Sequence, residues 1–275
     1  MAGPSFPITD NHIHIDPRNG RGLAAARDFF RSGGTHIFLV SKPSSSFGIL
    51  PLSGEDFRPV FEETLSVAEM VSGTGLVVFP VLGVHPAEIT RLLEHVPLAR
   101  AAGIMKEGID LAARFVEEGR AVAIKSGRPH YEVSPDVWTA SCEVLSFAFE
   151  RAGEAGCAVQ VHAESGDCAD MREMASSAGL DPGRVVKHYA VPATSLVPSL
   201  IATHPAIPDL CRQGRAFLME SDYMDENTRP GAVIGPRSVP RVTRKLLEAG
   251  VIDEDSAYRV HAETPSRVYG VEISL

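Results

Sequence analysis

The sequence predicts an α/β fold of the TIM-type (β/α)8 barrel class. Eight short apolar segments of strand type recur along the chain, and helical patterns separate most of them. Segments such as VVFPVLGV and CAVQVH are apolar almost throughout, which is typical of parallel strands covered on both faces. Eight strand–helix units in 275 residues match the size of one barrel. A doubly wound open sheet is the alternative.

The predicted elements alternate along the chain. The strands are expected over residues 8–15, 36–40, 76–84, 121–125, 158–162, 185–188, 200–203 and 216–220. Apolar residues at three-to-four spacing predict helices in FEETLSVAEMVSG, IMKEGIDLAARFVEEG, VWTASCEVLSFAFERAGEAG and CADMREMASSAG. The seventh unit is the least defined, because four prolines in VPATSLVPSLIATHPAIPDLCRQG allow its strand to shift by two or three residues.

Composition limits the classes of partner. With 26 Lys and Arg against 35 Asp and Glu, the formal charge is -9, so contact with extended nucleic acid is allowed but not favoured. The four cysteines show no CxxC spacing, which predicts reduced thiols. The N-terminus lacks the pattern of a targeting signal, and no segment reaches the roughly 18 apolar residues of a membrane span. We expect a single domain over residues 1–275, located in the cytoplasm, off the membrane and with homo-oligomers allowed.

The most specific local motif is DNHIH, residues 10–14, at the end of the first predicted strand. The strand period of two directs His12 and His14 to the same side of the sheet. A single pair of this kind is also compatible with hydrogen-bonded core histidines. The pair therefore needs support from other parts of the chain before it indicates a metal site.

That support comes from later strand ends. His162 follows CAVQV, His188 follows VVK, and Asp222 comes after the strand AFLMES. Barrel active sites are assembled from the carboxyl ends of strands, and imidazoles with a carboxylate suit divalent transition metals. The pattern predicts a metal-dependent enzyme.

These residues resemble the amidohydrolase superfamily, and within it the TatD-type metal-dependent hydrolases. The motifs that carry the resemblance span nearly the whole chain: DNHIHID, VLGVHPAE, AIKSGRPHY, VQVHAES, VKHY, ESDYMD and ETPSRVYGV. The resemblance implies a centre of two divalent ions, Zn, Mn or Mg, held by His12, His14, Lys125, His162, His188 and Asp222. It also implies that Asp222 is the general base, ahead of Glu220 and Asp225.

Lys125 departs from the TatD pattern, which has a glutamate bridging the metals at this position. Other branches of the superfamily use a lysine that carbon dioxide has converted to a carbamate. The apolar strand AVAIK would favour the neutral amine that reacts with carbon dioxide. Two alternatives stay open: a cationic Lys125 in a site with one metal, or a lysine that contacts substrate anions.

Three further residues are candidate substrate-binding groups on strand-end loops, namely His85, Arg128 and His130. Donors and cations there suit an anionic substrate. The alternative is that the histidines cap loops and that Arg128 pairs with acidic residues. His36, His95, His204 and His261 lie outside the motif positions, and Trp138 has the spacing of a packed helix residue.

The function predicted first is hydrolysis of a phosphoester in a small-molecule or nucleotide substrate, of nuclease or phosphatase type. A carbamylated Lys125 would instead favour hydrolysis of amide, lactone or cyclic amidine bonds. A metal-binding barrel without catalysis is the third hypothesis.

Overall fold

The computed structural model describes residues 6–228 and 234–275. Residues 1–5, which belong to the N-terminal stretch analysed for targeting signals, lie outside that description. The described residues contain nine strands: β1 (Thr9–His14), β2 (His36–Val40), β3 (Val77–Gly83), β4 (Ala123–Gly127), β5 (Ala158–His162), β6 (Val185–Lys187), β7 (Val197–Ile201), β8 (Leu218–Glu220) and β9 (Tyr223–Met224).

Helices separate most of the strands. They are α1 (Leu23–Arg31), α2 (Arg58–Ser72), α3 (Glu88–Leu92), α4 (Leu98–Glu117), α5 (Pro135–Ala155), α6 (Ala169–Ser177), α7 (Ile207–Arg212), α8 (Ser238–Glu248), α9 (Glu254–Tyr258) and α10 (Thr264–Tyr269). Local sequence defines α5 clearly. Ser134 caps its first turn by accepting from the Val137 amide, Pro135 occupies the first helical position, and Gly156 ends it in the left-handed conformation.

Three strands, β4, β7 and β8, begin two or three residues away from their predicted starts, and β9 is additional to the eight predicted strands. The seventh strand begins at Val197, three residues before the predicted start, and Pro198 is its second residue, where a missing amide proton is tolerated. The fourth strand continues two residues past Lys125 to Gly127, because Gly127 pairs with His162 in the neighbouring strand. Lys125 is therefore in the middle of β4 and not at its end.

Contacts between residues group the chain into two compact units. The first comprises the described parts of Met1–Leu39, Ser66–Phe79 and Pro198–Leu275. In it, β1 pairs in parallel with both β2 and β9, and β7 pairs in parallel with β8. Aromatic packing supports this sheet, since the Phe38 ring lies 4.1 Å from the Tyr269 ring and 5.0 Å from the Phe79 ring between centroids.

The second unit comprises Val40–Leu65 and Pro80–Val197. Here β4 pairs in parallel with β3 on one side and with β5 on the other, and β5 pairs with β6. Fully buried side chains of the strands and of α2, α4 and α5 form one continuous core, with Phe61, Phe115 and Phe149 among its largest members. This parallel pairing is the arrangement that the nearly continuous apolar segments predict.

The close approach of β4 and β5 leads to a first prediction. A Cβ atom at Gly127 would lie 1.8 Å from the backbone oxygen of His162, so neither strand could keep its position. We expect Gly127→Ala to lower the free energy of unfolding by at least ~1–3 kcal/mol, measured by urea denaturation. The control is Gly103→Ala in α4, where the nearest atom is 4.0 Å away and alanine should stabilise by ~0.5–1 kcal/mol. Equal unfolding midpoints for the two variants would contradict this account.

Within the described ranges, no helix combines the length and the apolar character that a membrane-spanning segment needs.

Candidate metal centre and catalytic site

The two histidines of β1 converge in the first unit. Their Nε2 atoms are 3.2 Å apart, and both side chains are buried. Two nitrogens bound at ~2.0–2.1 Å to one tetrahedral ion lie ~3.3 Å apart, which is close to the spacing found here. The pair His12 and His14 therefore fits the nitrogen ligands of a single divalent ion.

Asp222 adds a carboxylate to this pair. Its Oδ1 atom lies 3.8 Å from His12 Nε2, and its backbone amide donates to the His12 carbonyl at 3.0 Å. Asp222 has a φ of 46°, in the left-handed region that aspartate tolerates better than most residues. Such conformations persist where surrounding contacts hold them, often at functional sites. The turn after β8 thus directs a carboxylate at the histidine pair.

Asp10, in β1, accepts hydrogen bonds from the backbone at His12 and next to Asp222. Its Oδ1 accepts hydrogen bonds from the amides of Ser221 and His12 at 3.0 and 3.2 Å, whereas its buried Oδ2 has no hydrogen-bond partner in the described part of the chain. Burial raises the pKa of the Asp10 carboxyl to about 7, against those hydrogen bonds, which lower it. Sequence analysis did not single out Asp10, although it opens the DNHIH motif.

The other two acids near Asp222 in sequence, Glu220 and Asp225, accept hydrogen bonds from neighbouring parts of the protein. Glu220 is fully buried and accepts from Ser199 Oγ, which in turn accepts from Asn11 at 2.9 Å. Asp225 binds the loop after β1, since its two oxygens accept from the amides of residues 16, 21 and 22 at 2.7–2.9 Å. Asp222 is the acid of this group whose carboxylate lies beside His12.

In the second unit, His162 is the centre of a histidine cluster. Its Nδ1 is 2.7 Å from His188 Nε2, and its Nε2 is 2.9 Å from His130 Nδ1. The ring of His85 is 4.7 Å from the His162 ring between centroids. Strand ends β5 and β6 and the loops after β3 and β4 thus bring together four histidines that the sequence separates by up to 103 positions.

Burial lowers the pKa of His162 strongly, and electrostatic interaction with the nearby basic groups His85, Lys125, His130 and Lys187 lowers it further. The neutral imidazole that results is the form that can bind a metal. Lys125 and Lys187 are themselves buried, and Lys187 donates to the His188 carbonyl at 2.8 Å. Lys187 was not among the candidates predicted from the sequence. A charged residue in the short apolar segment VVK was the feature that could have indicated it.

Arg128 has a different environment from the one predicted for a substrate ligand. Its guanidinium is buried and forms ion pairs with Glu164 and with Asp170, and its Cζ lies 4.6 Å above the Trp138 ring. Its donors are thus directed at side chains of the protein itself, which corresponds to the alternative of internal pairing. Trp138, predicted to pack in the core, is 36% exposed and supports this arginine from outside.

The histidines on the loops were predicted either to bind substrate or to cap their loops through hydrogen bonds, and their contacts differ. His85 Nδ1 accepts from the Ala87 amide at 3.2 Å, as expected for a loop cap, and His204 Nδ1 accepts from the Ala206 amide at 3.1 Å in the same way. His130 is exposed, and its Nδ1 contacts His162. His36 and His261 are buried at structural positions in the first unit.

His261 leads to a prediction on pH dependence. It contacts Thr9 and Thr243, and burial lowers its pKa to about 4. Below pH 6.5 the unfolded chain binds a proton at this residue and the folded protein does not, so folding stability is lost as the pH falls from 6.5 towards 4. Between pH 7 and pH 5 the free energy of unfolding should fall by roughly 2 kcal/mol less in His261→Gln than in the unchanged protein, measured by urea denaturation. In the control His95→Gln, on an exposed loop, the fall in the free energy of unfolding between pH 7 and pH 5 should equal that of the unchanged protein. Parallel profiles for the two variants would contradict the assignment.

Comparisons with known proteins agree with this arrangement. Residues 9–270 match the family of TatD related DNases. The uncharacterized protein MJ1127 of Methanocaldococcus jannaschii is 38% identical over 283 aligned residues, which cover 98% of each chain. A TatD-like protein from Archaeoglobus fulgidus has a TM-score of 0.62 at 17% identity, covering 96% of this chain and 100% of that one.

A second solved structure, a mutant PTE-like lactonase from Deinococcus radiodurans, has a TM-score of 0.62 at 17% identity, covering 98% of both chains. At such identities the likeness concerns the fold alone. The predicted fold class, an α/β barrel of the TIM type, is confirmed by the TatD-like neighbours. The chain therefore belongs to the TatD-related DNase family and has the fold of that family's metal-dependent hydrolases.

Proposed function

We propose that this protein is a metal-dependent hydrolase of phosphoester bonds in small-molecule or nucleotide substrates. The single observation that carries the proposal is the 3.2 Å separation of the His12 and His14 Nε2 atoms, with the Asp222 carboxylate beside His12. Family membership supports His162 and His188 as further ligands, and Lys125 stands where typical TatD-type sequences have the bridging glutamate. We infer two divalent ions, Zn, Mn or Mg, as the cofactors.

Bound divalent ions supply Lewis acidity and lower the pKa of a water molecule towards neutrality. The residues of the chain then have distinct tasks. Asp222 accepts the proton of the attacking water and passes it to the leaving group. His162 stays neutral because burial lowers its pKa, and both His162 and His188 are held at strand ends. His85 is the remaining candidate for a donor to the substrate, because its Nδ1 accepts from the Ala87 amide and its Nε2 must then carry a proton.

Lys125 requires a modification to take part as a ligand. We infer that its neutral amine adds to carbon dioxide, forming an N–C bond and releasing one proton, to give a carbamate with two oxygens. Burial of the side chain, which is 3% exposed, supports the neutral amine that this step needs. The carbamate would replace the glutamate that typical TatD-type sequences carry.

Hydrolysis of a lactone or amide is the second candidate function. The presence of Lys125 favours it, because a carbamylated lysine would suit that chemistry. A barrel that binds metal without catalysis is the third. The preference for a phosphoester rests on family membership, and the choice between the candidates depends on a direct measurement.

The experiment compares two substrate panels. Protein freed of metal by a chelator is reloaded with Zn²⁺, Mn²⁺ or Mg²⁺, and it is tested on p-nitrophenyl phosphates, short DNA and a set of lactones and amides. Turnover of phosphoesters that requires added metal supports the first proposal. Turnover confined to lactones or amides would replace it with the second, and metal binding without turnover on any panel would favour the third. The Asp222→Asn variant serves as the blank for contaminating hydrolases.

A further inference from the structure

The His162 imidazole contacts another imidazole at each of its nitrogens. Its Nδ1 faces His188 Nε2 at 2.7 Å, and its Nε2 faces His130 Nδ1 at 2.9 Å. A neutral imidazole carries a single N–H, so one nitrogen donates and the other offers a lone pair. A metal takes the lone pair, and the proton then resides on the nitrogen that does not bind it.

The geometry indicates which nitrogen of His162 would bind a metal and which would carry the proton. His162 and His188 are both proposed ligands, and the atoms they direct at each other are Nδ1 and Nε2. Ligation through His162 Nδ1 would leave the proton on Nε2. The group placed to accept that proton in a hydrogen bond is His130 Nδ1.

The loop that carries His130 is held in place at Arg128, two residues before it. The Arg128 amide donates to the His162 carbonyl at 3.0 Å, and the Arg128 guanidinium is held by Glu164 and Asp170. Proline fixes its own φ angle, so little freedom remains between Arg128 and His130. The contacts of Arg128 thus hold the backbone close to His162, and the His130 imidazole contacts His162 from the same loop.

We propose that His130 is a positioning residue, which accepts a hydrogen bond from His162 Nε2–H and so fixes the tautomer and orientation of a metal ligand. The inference rests on the proposed function, in which His162 binds metal. It replaces the predicted role of His130 as a substrate-binding group. Partners of this kind to ligand histidines commonly change metal affinity 10–100-fold when they are removed.

The test compares two substitutions in the full chain. His130→Asn keeps an acceptor close to the place of Nδ1, whereas His130→Leu has similar volume and no acceptor. Zn²⁺ alone is titrated against a chelating indicator. We expect His130→Leu to bind one zinc ion ~10–100-fold more weakly, and His130→Asn to stay within about threefold of the unchanged protein. In the zinc-loaded unchanged protein, ¹⁵N chemical shifts should report a protonated Nε2 on His162.

The outcomes separate the two proposals. Equal zinc affinities for all three proteins, with a raised KM in His130→Leu, would overturn the positioning role and restore substrate binding. A protonated Nδ1 on zinc-loaded His162 would also overturn it. Failure of the unchanged protein to bind Zn²⁺, Mn²⁺ or Mg²⁺ would instead remove the proposed function, and the inference with it. His130 is exposed, and circular dichroism of both variants verifies that the fold is kept.

Discussion

Replacing Asp222 with asparagine should reduce turnover by ~10²–10⁴-fold, the usual contribution of a general base. Asparagine has the same shape as aspartate but cannot accept a proton from water. The backbone contact from the Asp222 amide to the His12 carbonyl would remain, and asparagine also tolerates the left-handed φ of 46°. The turn after β8 should therefore keep its conformation while the carboxylate is lost. The measurement is kcat on the substrate found in the panels.

The control for this variant is Asp209→Asn, which makes the same chemical change in an exposed ion pair with Arg212. It should leave kcat unchanged. Metal content is determined on each sample by elemental analysis, because Asp222 is also a proposed ligand. If Asp222→Asn retains turnover within about threefold at equal metal content, the proton-transfer role is excluded.

Replacing Lys125 with methionine should weaken zinc binding by at least ~100-fold, since the loss of a ligand exceeds the 10–100-fold effect of losing an outer partner. Lys125→Glu should retain zinc, because glutamate supplies directly the two oxygens that the carbamate would provide. The two variants thus separate a ligand role from a role of the positive charge. Zinc affinity is measured by competition with a chelating indicator.

Carbon dioxide distinguishes the carbamate from a cationic lysine. Unchanged protein stripped of carbon dioxide should bind zinc weakly and recover on addition of bicarbonate, whereas Lys125→Glu should be insensitive to bicarbonate. ¹³C-labelled bicarbonate should add a carbamate resonance that is absent from Lys125→Met. Lys106→Met, which removes a lysine at the surface of α4, is the matched control. Strong zinc binding by Lys125→Met would show that Lys125 is not a ligand.

Local sequence patterns predicted most of the strands and the convergence of His12 and His14, the principal pair of candidate ligands. The period of two in His12-Ile13-His14 places both imidazoles on one face of β1 wherever that strand lies, so their convergence needs no knowledge of distant residues. Continuous apolar segments likewise predicted parallel strands, and β2 and β5 have the predicted bounds. The predicted bounds of the seventh strand were wrong by up to three residues, because prolines obscure the alternation of its side chains.

Only the tertiary structure shows which side chains the loop residues contact. Arg128 had the sequence context of a substrate ligand, but its partners Glu164 and Asp170 lie 36 and 42 residues away in the chain. The hydrogen bond between His130 and His162 spans 32 residues. Periodicity reports only which face of an element a residue occupies, whereas the partner of a charged or aromatic loop residue depends on which loops meet. For that physical reason the sequence could identify the candidate histidines, and only the folded chain shows that His130 contacts His162 and that Arg128 pairs with Glu164 and Asp170.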